Sequence, residues 1–307
     1  MAAKDLVALA ADFLISKPSK FRLDDIAPDD TRGFFADKEQ GDALLREAVA
    51  AIAAQQETLY AQNQWSLLLI FQAMDAAGKD SAIEHVFSGV NPQGVQVFSF
   101  KAPSAEELDH DFLWRTAVRL PERGRIGVFN RSHYEEVLVV RVHPEMLASA
   151  RLPPSLVTSR IWDDRFESIN AFERHLARNG CVIRKFFLHV SQEEQARRFL
   201  KRLEEPAKRW KFSTGDLAER DRWPDYMHAY EQAIRRTSTP HAPWVVVPAD
   251  RKWFARLVIA GTILAALEDL RLKAPEVSRE QERELRAVRQ TLEKSVASRQ
   301  GHSRKRR

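Results

Sequence analysis

Cysteine is nearly missing from this chain. Cys181 is the only one in 307 residues, which excludes an internal disulfide framework and a cysteine-based zinc site. It sits in an apolar run, where a small buried residue is expected rather than a nucleophile. Long hydrophobic runs are missing too. No stretch approaches 18 uninterrupted apolar residues, so no membrane span is expected. The opening MAAKDLVALAADFLISKPSK is interrupted by Asp5 and Asp12 and has no convincing cleavage site. It reads as an amphipathic helix rather than a leader, and a cytoplasmic location follows.

Excess positive charge is also largely absent from the body of the chain. Residues 271–307 hold 12 Lys/Arg and 5 Asp/Glu, a net +7 against +5 for the whole, which leaves −2 for everything else. The sequence pI of about 9.3 is therefore set by the tail. It is weak evidence for nucleic acid, which is not expected as a partner.

What is present is organised around WSLLLIFQAMDAAGKDSAIEHVF, residues 65–87. An apolar run from Leu67 to Phe71 stops at a turn of small residues, Ala73 to Lys79, and a helix-compatible stretch from Ser81 follows. Strand, loop and helix in this order form a phosphate site when the loop's N–H groups point inward and the helix presents its positive end. Gly78 permits close backbone approach, and Lys79 adds a mobile cation. Ala76, Ala77, Gly78, Asp80 and Ser81 are the expected contacts. The match to GxxxxGK[ST] is imperfect: Ala73 replaces the first glycine and Asp80 the Ser/Thr. A strand–turn–helix with a chance Gly-Lys is the competing reading. Asp75 favours the phosphate site, because a carboxylate inside an anion loop calls for a divalent cation between acid and phosphate.

Around this loop the chain alternates strand and helix. Residues 1–35 read as a helix and an arm broken by Pro18 and Pro28, and 36–63 as a helix. Strands are expected at 66–71, 95–100, 125–129, 181–190 and 244–247. Helices are expected from a Ser104/Glu107 capping box to about Leu120, over 162–179, from Ser191 with Glu194 at the capping-box position, and over 251–272. Beyond Pro275 lie a polar helix, 276–298, and a disordered RQGHSRKRR end.

The third strand ends in Asn130-Arg131-Ser132-His133-Tyr134-Glu135-Glu136, where open parallel sheets place their sites. Asn130 stands where P-loop proteins carry a metal-linked acid. Arg131 can neutralise phosphate bidentately or pair with Glu135 or Glu136 on a helix face. His133 reads as an ordinary hydrogen-bonded histidine. Between Arg197 and Lys211 there are 7 Lys/Arg and 2 Asp/Glu. That run is either a solvated helix pair or a lid that closes on a polyanion.

Five blocks in order now carry a resemblance: QAMDAAGKDS (72–81), IGVFNRSHYEEVLVVRVHPE (126–145), ESINAFERHLARNG (167–180), RLEEPAKRWKFS (202–213) and TSTPHAPWVVVPADRKWFARL (237–257). Through most of residues 20–270 the chain resembles the polyphosphate kinase 2 family, in its branch acting on nucleoside mono- and diphosphates. The resemblance implies an α/β fold: a thymidylate-kinase-like P-loop core, a five-stranded parallel sheet flanked by helices, with a helical lid. It divides the chain into an N-terminal helix and arm (1–35), the core (36–272, with its lid at 191–230) and a basic C-terminal helix and tail (273–307). It implies transfer of the terminal phosphate between inorganic polyphosphate and AMP, ADP, ATP or guanine equivalents, by a homo-oligomer, with Mg²⁺, or Mn²⁺ in its place. Asp75, Lys79, Asn130, Arg131 and Arg202 become the catalytic set and Asp75 and Asn130 the metal ligands. Arg198, Lys208, Arg209 and Lys211 match the basic lid, with Glu135 beside the phosphates. Asn130 departs from the family's usual acid. It offers a carbonyl oxygen to a metal but no carboxylate base, so Glu135 or Glu136 can substitute. An ATP-dependent small-molecule kinase, and a non-catalytic P-loop protein binding polyphosphate or nucleic acid, remain the alternatives.

Overall fold

All seven residues of Ser66–Gln72 are buried, and they form β1. A strand this uniformly apolar needs cover on both faces, which a parallel sheet with helices on each side provides. In a computed structural model, which describes residues 3–34, 38–211 and 215–304, β1 lies at the centre of a five-stranded sheet ordered β2-β3-β1-β4-β5. The other strands are β2 (Val95–Ser99), β3 (Ile126–Asn130), β4 (Cys181–His189) and β5 (Trp244–Pro248), and every pairing is parallel. All five expected strands are present, with ends shifted by a residue or so.

The long helices follow the sequence as well. They are α1 (Ala3–Ala11), α2 (Lys38–Gln62), α3 (Lys79–Val86) and, further along, α7 (Ile161–Arg178). Helix α11 (Lys252–Asp269) is buried over most of its length and packs against α1, α2 and α3. Its Gly261 lets α1 cross closely, since a Cβ there would lie 2.3 Å from the Leu6 carbonyl oxygen.

One expected helix is corrected. The helix from Ser104 to Leu120 is instead α4 (Ala105–Leu108) and α5 (Trp114–Ala117). The Ser104/Glu107 capping box forms, but the Asp111 carboxylate accepts from the Leu113 amide at 2.9 Å, and this local turn competes with continuous helix. The N-terminal arm packs on the sheet. Ile15 N donates to Trp244 O at 2.9 Å and Val246 N to Phe13 O at 3.0 Å, so residues 13–15 cover the free edge of β5.

The short α6 (Val139–Val142) follows the turn after β3. Residues 191–230 contain α8 (Gln192–Glu204), α9 (Gly215–Asp221) and the start of α10 (Trp223–Thr237). Ser191 Oγ accepts from Glu194 N as expected, but the reciprocal partner is wrong: Ser191 N donates to Asp250. Helix α10 buries Tyr226, Tyr230 and Ile234 in the core, so that part of the expected lid is packed rather than exposed. Met1–Leu272 form one compact unit and Lys273–Arg307 a second. The latter contains α12 (Arg279–Arg304), which runs past the expected end at 298; the last three residues lie outside the described ones. Among the described residues no helix is long and apolar enough to cross a membrane. Cys181 is buried as expected, and burial pushes its thiol up to about 11.

Candidate active site

The loop after β1 and the turn after β3 meet because their strands are neighbours, with Phe71 opposite Asn130. Loop 73–78 bends through Ala76 (φ 59°) and Gly78 (φ 103°) into α3. Gly78 is thus where left-handed backbone is required, and its carbonyl accepts the first helical bond from Ala82 N at 2.9 Å.

Lys79 is not the mobile cation expected. It is only 8% exposed, and Nζ donates to the carbonyl oxygens of Ala73 at 2.8 Å and Met74 at 3.4 Å. Burial, with some help from Arg131, holds its pKa below the ordinary lysine value, against the pull of Asp75, Glu135 and Asp80. The result is a pre-placed charge under the loop.

Arg131 takes neither of its acidic neighbours as its ion-pair partner. Its Nη2 donates to Asp75 Oδ1 at 3.0 Å, rather than to Glu135 or Glu136. Its backbone is left-handed (φ 64°) and its N–H is anchored on Phe71 O at 3.0 Å. Burial works against its charge, yet Glu135 and Asp75 outweigh this and hold it above the ordinary arginine value. Burial likewise raises the Glu135 carboxyl, opposed by Arg131 and Lys79. Gln72, its amide turned to satisfy its neighbours, donates to Glu135 Oε1 at 2.8 Å and accepts from Ser132. Glu136 is unavailable as a substitute ligand, because its carboxylate and carbonyl both accept from buried Arg165. Asn130 donates its amide nitrogen to Asp80 Oδ1 at 2.6 Å. Ser81 Oγ accepts from Arg256 at 3.0 Å.

His133 is corrected in its detail. It is buried, its ring tilted against that of Tyr134, with Nε2 3.9 Å from Glu173 Oε1 and no hydrogen bond among the described residues.

The basic run divides. Arg198 is buried, and all five of its N–H groups have acceptors. Nε donates to Glu194, Nη1 to the carbonyls of Ala76 and Ala77, and Nη2 to those of Ala249 and Asp250. It clamps the phosphate loop to the end of β5 and has no donor left for phosphate. Gln195, one turn earlier on α8, donates to Asp75 O at 2.9 Å. Neither role was visible in the sequence: the bonded partners lie 120 to 122 residues away, and only the i, i+3 spacing on α8 hinted at a shared face. Arg202 lies against the Phe199 ring, and exposed Arg209 donates to Leu203 O. The side chains of Lys208 and Lys211 lie outside the described residues. Among the described residues no cluster of three or more His, Cys, Asp or Glu is assembled to hold a cation.

A glycine-lysine loop after the central strand of a 2-3-1-4-5 parallel sheet, facing an acid–arginine pair, defines a P-loop phosphotransferase. The family model for polyphosphate kinase 2 matches residues 35–275. The chain belongs to the polyphosphate kinase 2 family. It is 54% identical over 260 residues to an ADP-polyphosphate phosphotransferase of Rhodopseudomonas palustris, covering 84% of this chain and 90% of the relative. It is 43% identical to an AMP/ADP-polyphosphate phosphotransferase of Meiothermus ruber, covering 86% and 95%. The crystal structure of polyphosphate kinase 2 from Arthrobacter aurescens is 40% identical and superposes with a TM-score of 0.82, covering 94% of this chain and 97% of that one.

Proposed function

We propose that this chain moves the terminal phosphate of inorganic polyphosphate onto a nucleoside mono- or diphosphate, and the reverse, in the presence of Mg²⁺. The observation that carries the reading is the Asp75–Arg131 pair at 3.0 Å, set against a loop whose lysine is buried beneath it. The printed activities of the two relatives, ADP- and AMP/ADP-polyphosphate phosphotransferase, support it.

The attacking atom is an oxygen of the acceptor phosphate, already ionised near neutral pH. It forms a bond to the terminal phosphorus of the donor as the bond to the next bridging oxygen breaks, and the shortened polyphosphate leaves as the anion. No strong base is needed, which makes Asn130 compatible with the chemistry. Rate then comes from positioning and charge neutralisation. The loop amides and Lys79 hold the transferring phosphoryl group, and Arg131, 40% exposed at its side chain, offers its fork to the acceptor's phosphate oxygens. Asp75 offers one carboxylate and Asn130 a side-chain carbonyl oxygen, since Asp80 takes only the amide nitrogen. Mg²⁺ is commonly held by one or two carboxylates together with substrate phosphates and water, so these two residues fit it, and Mn²⁺ in its place. Held by Asp75 and Asn130, a divalent cation would supply neutralisation of the charge that develops in the transition state.

For the acceptor's nucleoside the reading uses a pocket of about 250 Å³ beside the turn after β3, whose lining includes His110, Phe112, Arg115, Glu136 and Arg165. Adenine and guanine nucleotides as acceptors, and a homo-oligomeric assembly, are part of the same proposal. The test is incubation of the pure chain with long-chain polyphosphate, Mg²⁺ and either AMP or ADP, followed by nucleotide chromatography. ATP formed from ADP is the expected result. No phosphorylated product from either acceptor would overturn the reading.

A further inference from the structure

Seven residues make up α9, too few for a helix that stands alone in water. Gly215, Leu217, Ala218 and Asp221 are exposed, whereas Glu219 and Arg220 are half-buried. These two neighbours tie the helix to elements on either side of the central strand, whose flanking strands are β3 and β4. Toward β3, Glu219 Oε2 accepts from Nε2 of His143, directly after α6, at 2.8 Å. Tyr226 Oη of α10 donates to the same oxygen at 2.5 Å. Toward β4, Arg220 Nη1 donates to two acceptors on α8, Gln192 O at 2.7 Å and Gln195 Oε1 at 2.9 Å. The first tie gives Arg220 a fixed base for the second.

The Arg220 contact does not end on α8. Gln195 is buried, and while its amide oxygen takes Arg220, its amide nitrogen donates to Asp75 O at 2.9 Å. With both ends engaged, the amide has one orientation. Its acceptor is the carbonyl of the residue whose carboxylate meets Arg131 at 3.0 Å. The backbone turns left-handed at the next residue, Ala76 (φ 59°), and Arg198 holds the carbonyls of Ala76 and Ala77. Gln195 therefore supports the Asp75 peptide just before the bend. Fixing that peptide plane fixes the direction in which the Asp75 side chain leaves the backbone.

We propose that Arg220 and Gln195 are positioning residues for phosphoryl transfer: α9 aims the Asp75 carboxylate at Arg131 through the buried Gln195 amide. The kinetic consequence rests on the polyphosphate reading above. The role asked of both residues is to hold Asp75 in place, and a misplacement on the order of 1 Å from a distant substitution costs about 10²-fold in rate. Because the relay runs through both side chains in series, losing either should do most of the damage that losing both does.

The test uses the full chain with Arg220→Ala, Gln195→Ala, the two combined, and Gln195→Glu. The glutamate keeps an oxygen for Arg220 but lacks the amide hydrogens for Asp75 O, so it breaks the relay at the loop and leaves α9 tied. Thermal melting checks folding. Amide hydrogen exchange is followed over 73–78 and 217–221, and steady-state kinetics with ADP and long-chain polyphosphate give kcat and KM separately. Arg220→Ala, although on α9, is expected to speed exchange in loop 73–78 about fivefold. It should lower kcat about tenfold, with KM for polyphosphate changed less than about twofold. The double variant should be within about twofold of the slower single variant. Gln195→Glu should show the same losses in the loop and in kcat while α9 exchanges as in the wild type; a tie that merely docks α9 predicts an unchanged kcat there. Unchanged loop exchange in Arg220→Ala, additive losses in the double variant, or a Gln195→Glu protein as fast as an active wild type would each overturn the relay. A wild type inactive with polyphosphate would instead overturn the function, and the exchange comparison alone then decides the relay.

Discussion

Lys79 rests on loop carbonyls and Asp75 on Arg131, and each of the two makes a separate prediction at the scale of a single side chain. Lys79 is a buried cation whose Nζ rests on loop carbonyls, so its charge is in place before substrate arrives. Lys79→Ala is expected to lower kcat by about 10²-fold or more, the loss typical of a pre-placed electrostatic donor. Saturating-substrate kinetics on protein with an unchanged circular dichroism spectrum check this. Asp75→Asn removes the carboxylate that faces Arg131 and the proposed cation. The Mg²⁺ concentration for half-maximal rate should rise about tenfold, the equivalent of one charge-assisted interaction of ~1.5 kcal/mol. Titrations of wild type and variant that superimpose would take Asp75 out of the cation site.

Helix α8 is the element whose meaning changed most between sequence and structure. Its basic run suggested a face turned to polyanion, yet Arg198 spends its whole guanidinium on Glu194 and four backbone carbonyls. Arg198→Ala would leave buried carbonyls without donors, at a cost of about 1–3 kcal/mol. It should also raise KM for both tetraphosphate and long polyphosphate, because the loop proposed to hold the reacting phosphate loses its support. Arg198→Lys should not restore activity, since an ammonium cannot span acceptors on two loops as the guanidinium does. Urea unfolding and donor kinetics together test this; a variant with full stability and a defect only on long donors would mean that Arg198 touches phosphate after all.

Within the Met1–Leu272 unit, the feature that reaches furthest is an ion pair sealed in the core. Lys185 on β4 is fully buried, and its Nζ donates to Glu173 Oε2 at 2.6 Å, Tyr134 Oη at 2.9 Å and Thr237 O at 2.8 Å. The network joins β4, α7, the turn that bears Arg131 and Glu135, and the end of α10. Burial alone would raise the Glu173 carboxyl, but Lys185 and the hydrogen bonds prevail and hold it below the ordinary range. For a carboxylate shifted down on folding, the stabilisation is complete above the unfolded value, about 4.3, and is lost as pH falls through the folded one. Glu173→Gln should therefore cost about 3–5 kcal/mol at neutral pH, by stranding Lys185. It should also show a flatter loss of stability in acid than the wild type. Glu173→Leu combined with Lys185→Met should recover much of that cost, because both charges leave together. Urea midpoints across pH decide the matter, and a double variant no better than Glu173→Gln would refute the account.

Much of this molecule was legible as local pattern. Apolar runs located the strands, and helical spacing located α2, α7 and α11, because strand and helix periodicities depend on neighbours a few residues apart. The Ala73–Lys79 loop and the Asn130–Glu136 turn were readable for the same reason: chemistry at a strand's carboxyl end is written in consecutive residues. The helix expected across 104–120 failed because one aspartate's competing turn is weighed against packing that the sequence does not display. Partners were beyond reach altogether. That Arg131 selects Asp75 over its neighbours Glu135 and Glu136, and that Arg165 takes Glu136, follows from the register of β1 on β3 and the placement of α7. Residues 13–15 cover the β5 edge, and Ser238 Oγ donates to Ile15 O across 223 residues of chain. The sequence by itself determined most of the elements that form and which side chains bring charge to the carboxyl ends of the central strands. The tertiary structure alone decided which of those charges are spent on the protein and which stay open to substrate, because a hydrogen bond between distant residues exists only once packing has set its distance and excluded its water.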